Sequence, residues 1–235
     1  MKDNRVRLND IEALRKLFIG TKALLLDFDG PICDVFAGFP ASVVADQLRG
    51  ILADEGHGEL PSDIRTTRDP FDVLKCASRI GRDEARYVEA ALRAHEVEAA
   101  RSAKPTPGAH ELIRAFRKTG RTIAVVSNNS AAAIEAYLGI WDLQREVNLV
   151  SARTQPEPDL LKPSPHLLIE AVAGISADVR ACTFIGDSVT DIQAANSISM
   201  PVVGFANKIG KLEEFRALHP AAIVTQIETL TDLAR

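Results

Sequence analysis

The sequence predicts an α/β fold: a doubly wound, Rossmann-like parallel sheet core with an inserted helical segment. Three observations predict it. Apolar runs of strand length recur along the 235 residues, helix-length amphipathic stretches separate them, and the rhythm lapses between residues 34 and 103, where no strand-like run occurs. Strands alternating with helices argue for βαβ units, whose strands run parallel and are covered on both faces.

The elements follow in order. Over 8–18, Leu8, Ile11, Leu14, Leu17 and Phe18 stand at helical spacing, with Asn9 or Asp10 as N-cap. A strand over 23–28 is an unbroken apolar run that ends in Asp27-Phe28-Asp29-Gly30. Three helices are expected in the interruption, over 41–53, 70–80 and 83–101. Asp69-Pro70 gives the middle one an N-cap and a first-turn proline. Inserted after the first strand, this segment would lie over that strand's carboxyl end like a lid. The expected organisation is therefore a Rossmann-like core of residues 1–33 and 104–235, with a helical cap of residues 34–103 inserted after the first acidic motif.

Beyond the insertion, a helix over 108–118 is entered through Pro105-Thr106-Pro107 and closed by Gly120. A strand over 122–126 ends in Ser127-Asn128-Asn129-Ser130, and a helix follows from near Ala131 to Leu138. Next come a short strand over 148–150, a proline-rich loop over 154–159, and a helix over 165–173. A strand over 181–185, a helix over 188–196, a strand over 201–204 and a helix over 208–217 complete the series. Trp141, with Tyr137 and Leu138, is expected in the core or an interface. His57 reads as a loop residue, His95 and His110 as partly exposed on helices, and His166 as helix surface.

Composition narrows the class. A hydrophobic share of 46% is ordinary for a globular chain, and a net charge of −4 without a basic patch argues against nucleic-acid binding. No apolar run approaches the roughly 18 residues of a membrane span. Residues 1–7 are charged and lack the apolar centre of a secretory signal. Cys33, Cys76 and Cys182 lack CxxC spacing, so reduced thiols and a cytoplasmic location are expected. Cys33 has nothing nearby to activate it. The chain is expected to be a monomer or homodimer.

The chemistry gathers at strand ends. Asp27 and Asp29 close one apolar run, and Asp187 and Asp191, in Gly186-Asp187-Ser188-Val189-Thr190-Asp191, close another. Ligand sites in open parallel sheets form beyond the strands' carboxyl ends. Four carboxylates at two such ends point to a hard-cation site, bridged by an anionic substrate. Ser127 and Asn128 offer a hydroxyl and helix-start N–H groups, a cradle for phosphate; capping the next helix is a compatible role. Gly30 permits a tight turn.

In sequence order, Asp27-Phe28-Asp29-Gly30, Ser127-Asn128, Lys162-Pro163 and Gly186-Asp187-Ser188 with Asp191 resemble the four motifs of the haloacid dehalogenase-like hydrolase superfamily. The insertion is similar to the helical cap of the branch containing phosphoglycolate phosphatase and β-phosphoglucomutase. The resemblance implies a Mg²⁺-dependent phosphatase acting on a small phosphorylated metabolite, with no nucleic-acid or membrane partner. It makes Asp27 the nucleophile of an aspartyl-phosphate intermediate and Asp29 the general acid/base. Gly30, Ser127, Asn128 and Lys162 would hold the phosphate, and Asp27, Asp29 (through its carbonyl), Asp187 and Asp191 the metal. Asp191 would act through a water or by orienting Lys162. The roles suit the chemistry: phosphoryl transfer needs a placed nucleophile, neutralised oxygens and a proton for the leaving group. A lysine keeps phosphate from being repelled by a carboxylate nucleophile.

Pro31 and Val35 depart from the commonest family pattern without removing a catalytic group. Asp34 suits a hinge or a solvated linker equally. Arg65 and Arg68 could hold the far end of an anionic substrate, or belong to a solvated loop. A phosphosugar mutase would use the same motifs. A phosphonate hydrolase would need a cap lysine, and Lys75 is the only lysine between Lys22 and Lys104. A non-catalytic binding protein on the same fold is a further alternative.

Overall fold

A computed structural model describes residues 8–234; the charged residues 1–7 lie outside it. Six parallel strands form one sheet in the order β5-β4-β1-β6-β7-β8: Leu149–Arg153, Thr122–Ser130, Ala23–Leu26, Cys182–Gly186, Val202–Phe205 and Ala222–Val224. β1 is central, and Leu24 is level with Ile123 on one side and Thr183 on the other. The chain builds outward through β4 and β5, then returns to build the other half from β6. The strand order therefore reverses beside β1, where such sheets bind ligands.

β1 is buried on both faces, which is why it reads as an unbroken apolar run. Leu24 and Leu26 pack with Phe18, Phe116 and Tyr137, whereas Ala23 and Leu25 pack with Leu168, Ile192 and Phe215. The first layer comes from α1 (Ile11–Gly20), α6 (Ala109–Lys118) and α7 (Ala131–Ile140). The second comes from α8 (His166–Gly174), α9 (Val189–Ser197) and α10 (Lys211–Ala217). Each leucine so buried contributes about 1.5–3 kcal/mol. The doubly wound sheet read from the sequence is the observed fold.

Between β1 and α6 the chain leaves through a two-residue strand, β2 (Cys33–Asp34), and returns antiparallel along β3 (Lys104–Pro105). Four helices fill the interval: α2 (Ala41–Asp54), α3 (Ser62–Thr66), α4 (Pro70–Ile80) and α5 (Arg82–Ser102). Asp69 caps α4 by accepting the Phe71 N–H at 2.9 Å. The β2–β3 pair was not expected; strands this short carry no periodic signal. α3 ends at Thr66, so Arg65 is helical where a polar loop was expected.

Other differences are local. Asp10, not Asn9, caps α1, which starts at Ile11. β1 stops at Leu26 because Phe28 turns to accept the Ile32 and Cys33 N–H groups. β4 runs on to Ser130, its register with β5 shifting between Ser127 and Ser130. β8 and the one-turn α11 (Glu228–Thr231) were not expected. His110, expected partly exposed, is buried: it lies on the apolar face of α6, and its Nε2 is 2.9 Å from the Tyr137 hydroxyl. Tyr137 and Leu138 are core residues, while Trp141 is partly exposed with its ring against His110. Among the described residues no helix is long and apolar enough to cross a membrane.

Candidate active site

The residues at three strand ends converge. Asp27, just past β1, keeps its N–H on the Ile185 carbonyl, which holds it in line with the strand while its Oδ1 accepts the Phe28 N–H at 2.8 Å. The turn then brings Gly30 against Asp187. Gly30 has φ of +100°, and a Cβ there would lie 2.4 Å from the Asp187 carboxyl carbon, so conformation and space both demand glycine. Asp29 turns the other way, its Oδ1 accepting the Val35 N–H at 2.9 Å.

Asp187 and Asp191 open α9. Ser188 and Asp191 form a capping box, in which Asp191 Oδ2 accepts the N–H groups of Asp187 and Ser188 at 3.0 and 2.9 Å. The other Asp191 oxygen lies 2.6 Å from Lys162 Nζ. Lys162 Nζ is also 2.9 Å from Asp27 Oδ1 and donates to the Val126 carbonyl at 3.3 Å. Three oxygens thus surround an ammonium with three protons.

The backbone of Lys162 is held in turn by Asn128. The Asn128 side chain accepts the Lys162 N–H at 2.8 Å and donates to the Lys162 carbonyl at 3.1 Å. Ser127 is buried, its hydroxyl donating to Asn129 Oδ1 at 3.2 Å. The lysine between two carboxylates therefore rests on a rigid frame drawn from β1, β4 and α9.

Electrostatics follow from this crowding. Burial, then Asp191, pushes the Asp27 carboxyl up to about 8 despite the opposing pull of Lys162. Burial raises Asp29 to about 6, with the Val35 N–H working against it. Burial disfavours the Lys162 ammonium, but Asp191 and Asp27 outweigh that and hold it well above the ordinary lysine value. The Cys33 thiol is pushed up by burial and the neighbouring acids, so it is not activated.

Asp27, Asp187 and Asp191 each present a carboxylate oxygen, all within 4.8 Å of one another. The Asp29 side chain is not among the three. Hard oxygen donors at this spacing suit a small divalent cation such as Mg²⁺. A cavity of about 200 Å³ opens over them. Its walls include Asp29, Ser127, Asn128 and Lys162 and, from the insertion, Asp69, Phe71 and Lys75. Arg65 and Arg68 do not line it. A neighbouring cavity of about 460 Å³ shares Asp29 and Asp187 but not Asp27, and carries Lys104 and Lys208.

Two groups of charged residues were not expected from sequence. Lys211 Nζ lies 2.6 Å from Asp187 Oδ2, which also accepts from Asn207 Nδ2 at 3.0 Å. Arg153, at the end of β5, is buried between two glutamates of α5. Its Nη1 is 2.7 Å from Glu89, its Nη2 pairs with Glu96, and its Nε donates to the Asn128 carbonyl at 3.2 Å. Glu96 also accepts the Ser130 N–H at 2.9 Å and Asn129 Nδ2 at 3.2 Å. The signal for this group was legible: Glu89 and Glu96, seven apart, share the apolar stripe of Val88, Leu92 and Ala99 on α5.

A family model for haloacid dehalogenase-like hydrolases matches residues 21–198. A phosphoglycolate phosphatase of Mesorhizobium japonicum is 31% identical over 132 residues, covering 54% of this chain and only about half, 55%, of the relative. A plasmid-encoded phosphoglycolate phosphatase of Cupriavidus necator is 25% identical over 90% of this chain and 92% of its own length. Among solved structures, a hydrolase from Pseudomonas syringae superposes with a TM-score of 0.65 at 19% identity, covering 90% of this chain and 97% of that one.

Proposed function

The chain belongs to the haloacid dehalogenase-like hydrolase family, and from that premise we propose that it is a Mg²⁺-dependent phosphatase that hydrolyses a small phosphomonoester through a phosphorylated Asp27. One observation carries the reading: Lys162 sits between Asp27 and Asp191 at the end of the central strand, with Asp187 close by and a cavity above. The phosphatase names of two relatives support the same reaction class.

Asp27 attacks phosphorus and takes the phosphoryl group while the ester oxygen leaves, so one difficult displacement becomes two. Asp29, raised to about 6, holds a proton for the leaving alkoxide at mildly acidic pH. Once ionised it takes a proton from the water that frees phosphate. Lys162 offsets the repulsion between carboxylate and phosphoryl oxygens, and Asp191 fixes where its ammonium stands. Asn128 fixes the lysine's backbone, and Ser127 lies at the phosphate end of the cavity. Asp27 and Asp187, with the Asp29 carbonyl, would hold Mg²⁺, and Asp191 would act chiefly through Lys162, since one of its oxygens is spent on the capping box. Bound there, Mg²⁺ supplies positive charge that favours ionised Asp27 and neutralises phosphoryl oxygens. We read residues 34–103 as a cap that closes the cavity through the first turns of α4.

The test is release of inorganic phosphate from a panel of phosphomonoesters with and without Mg²⁺. The wild type should release it only with the metal. Asp27→Asn should release none while keeping its circular dichroism spectrum. Wild-type turnover in that variant overturns the nucleophile, and metal-independent turnover overturns the ion site.

A further inference from the structure

The carboxylates at the strand ends are not equally free. Asp27 Oδ1 accepts the Phe28 N–H at 2.8 Å and stands 2.9 Å from Lys162 Nζ, which leaves its Oδ2. Asp191 has both oxygens engaged, one by the capping box and one by Lys162. Asp187 Oδ2 accepts from Lys211 Nζ at 2.6 Å and from Asn207 Nδ2 at 3.0 Å. Among the described residues no hydrogen bond reaches Asp27 Oδ2 or Asp187 Oδ1. The two acids read as metal ligands therefore keep one oxygen each.

The hold on Asp187 closes on itself. Lys211 Nζ also donates to Asn207 Oδ1 at 2.7 Å, so the Asn207 amide gives with one atom and takes with the other. Asn207 and Lys211 bracket the turn from β7 into α10, in which Gly210 has φ of +96°. That turn brings residues four apart in the chain to one carboxylate. Gly30 presses on the same group, with no room for a Cβ beside the Asp187 carboxyl carbon. The Lys211 and Asp187 side chains are only 19% and 15% exposed, so water competes poorly for Oδ2.

The number of oxygens a carboxylate can offer separates ions of equal charge. Mg²⁺ demands near-ideal octahedral coordination, whereas Ca²⁺ takes roughly six to eight oxygens and accepts both oxygens of one carboxylate. An acid whose second oxygen is spent withholds that extra ligand. Resting on the ion site of the phosphatase reading above, we infer that Lys211 is a positioning residue that sets ion selectivity. With Asn207 it holds Asp187 to a single free oxygen and so disfavours Ca²⁺. Loss of its charge alone would strengthen the pull on any divalent cation alike. The ratio of the two affinities therefore reads the oxygen and not the field.

The test is scanning calorimetry of the full chain over a series of Mg²⁺ or Ca²⁺ concentrations, where the rise in Tm gives each affinity without substrate or turnover. The wild type should bind Mg²⁺ more tightly than Ca²⁺. Lys211→Met, which keeps the length of the side chain, should raise the Ca²⁺-to-Mg²⁺ affinity ratio at least about tenfold, the scale on which groups that orient metal ligands act. Lys211→Arg keeps a donor and should keep the wild-type ratio. So should Lys208→Met, which removes a neighbouring charge that makes no contact with Asp187. A ratio unmoved in Lys211→Met, a rise as large in Lys208→Met, or a wild type that prefers Ca²⁺ overturns the inference. A wild-type Tm raised by Mg²⁺ with a ratio indifferent to Lys211 overturns this inference alone. A wild-type Tm that neither ion moves overturns the ion site of the phosphatase reading and this inference with it.

Discussion

Two buried cations in this molecule are each flanked by two carboxylates, and they have been put to different ends. Lys162 stands between Asp27 and Asp191, and Arg153 stands between Glu89 and Glu96. Around Arg153 the polar groups are matched. The guanidinium makes a third contact to the Asn128 carbonyl, and Glu96 gathers the Ser130 N–H at the start of α7 and the Asn129 amide. The small cavity that Arg153 helps to line, about 130 Å³, holds none of Asp27, Asp187 and Asp191, and the arginine's burden is to join α5 to the strand ends. Around Lys162 the charges do not balance. Asp187 and Asp29 stand close by, Asp27 is pushed up to about 8, and a cavity opens on the group. A satisfied buried network specifies structure, whereas an unsatisfied one facing a cavity is ready for a charged ligand.

Removing each cation breaks the comparison most forcefully. Lys162→Met should lower kcat about a thousandfold, on the order of 4 kcal/mol of barrier, as for loss of a charge-stabilising group in other enzymes. Its thermal stability should fall less than that of Arg153→Met, because Asp27 can take up a proton and water can enter. Arg153→Met strands two sealed glutamates and should cost about 3–5 kcal/mol. That corresponds to roughly 10 °C in Tm for a chain of this size. Phosphate-release assays and thermal melts on both variants check the pair. A stable Arg153→Met protein, or an active Lys162→Met enzyme, would erase the distinction.

The carboxylates sharpen it. Asp191→Asn frees the Lys162 ammonium on one side and should lower kcat about tenfold to a hundredfold with little change in KM. Glu96→Gln keeps an acceptor for Ser130 and should act mainly on Tm. Kinetics that moved equally in both variants would argue that the two groups form one network through Asn128.

The smallest effect is one of pH. The folded-state value of Asp27, about 8, lies above its ordinary 3.8, and that of Asp29, about 6, is shifted the same way. Between those values the folded protein holds protons that the unfolded chain has released, so stability falls as pH rises from about 4 to 8. A divalent cation favours the ionised carboxylates. Mg²⁺ should therefore raise Tm by about 2–4 °C or more at pH 8 and by less at pH 5, read by scanning calorimetry. An equal shift at both values would place the ion away from Asp27.

Much of this architecture was open to inspection in the chain. The run 24–26 announced a strand buried on both faces, and the acids that end it pointed to the rim where Asp27, Asp187, Asp191 and Lys162 come together. Regular alternation located five of the six strands of the main sheet. β8 escaped because three residues hold no period, and Phe28 was drawn into β1 because an apolar side chain at a strand end gives no sign that its backbone has turned. Arg153 with Glu89 and Glu96 escaped for another reason. Their partners lie 57 and 64 residues away, and nothing local distinguishes a paired glutamate from a solvated one except its place on an apolar stripe. Lys75 was visible as a lone lysine of the insertion, but only the fold sets it over the strand ends.

The most direct test asks where the phosphoryl group goes. The Asp29→Asn variant, slowed in clearing the intermediate, would be mixed with Mg²⁺ and a phosphomonoester it binds, quenched, reduced with borohydride and mapped by mass spectrometry. The account predicts that the acyl phosphate is reduced at Asp27, converting that side chain alone. Reduction at another carboxylate, or steady phosphate release with Asp27 never modified, would contradict it.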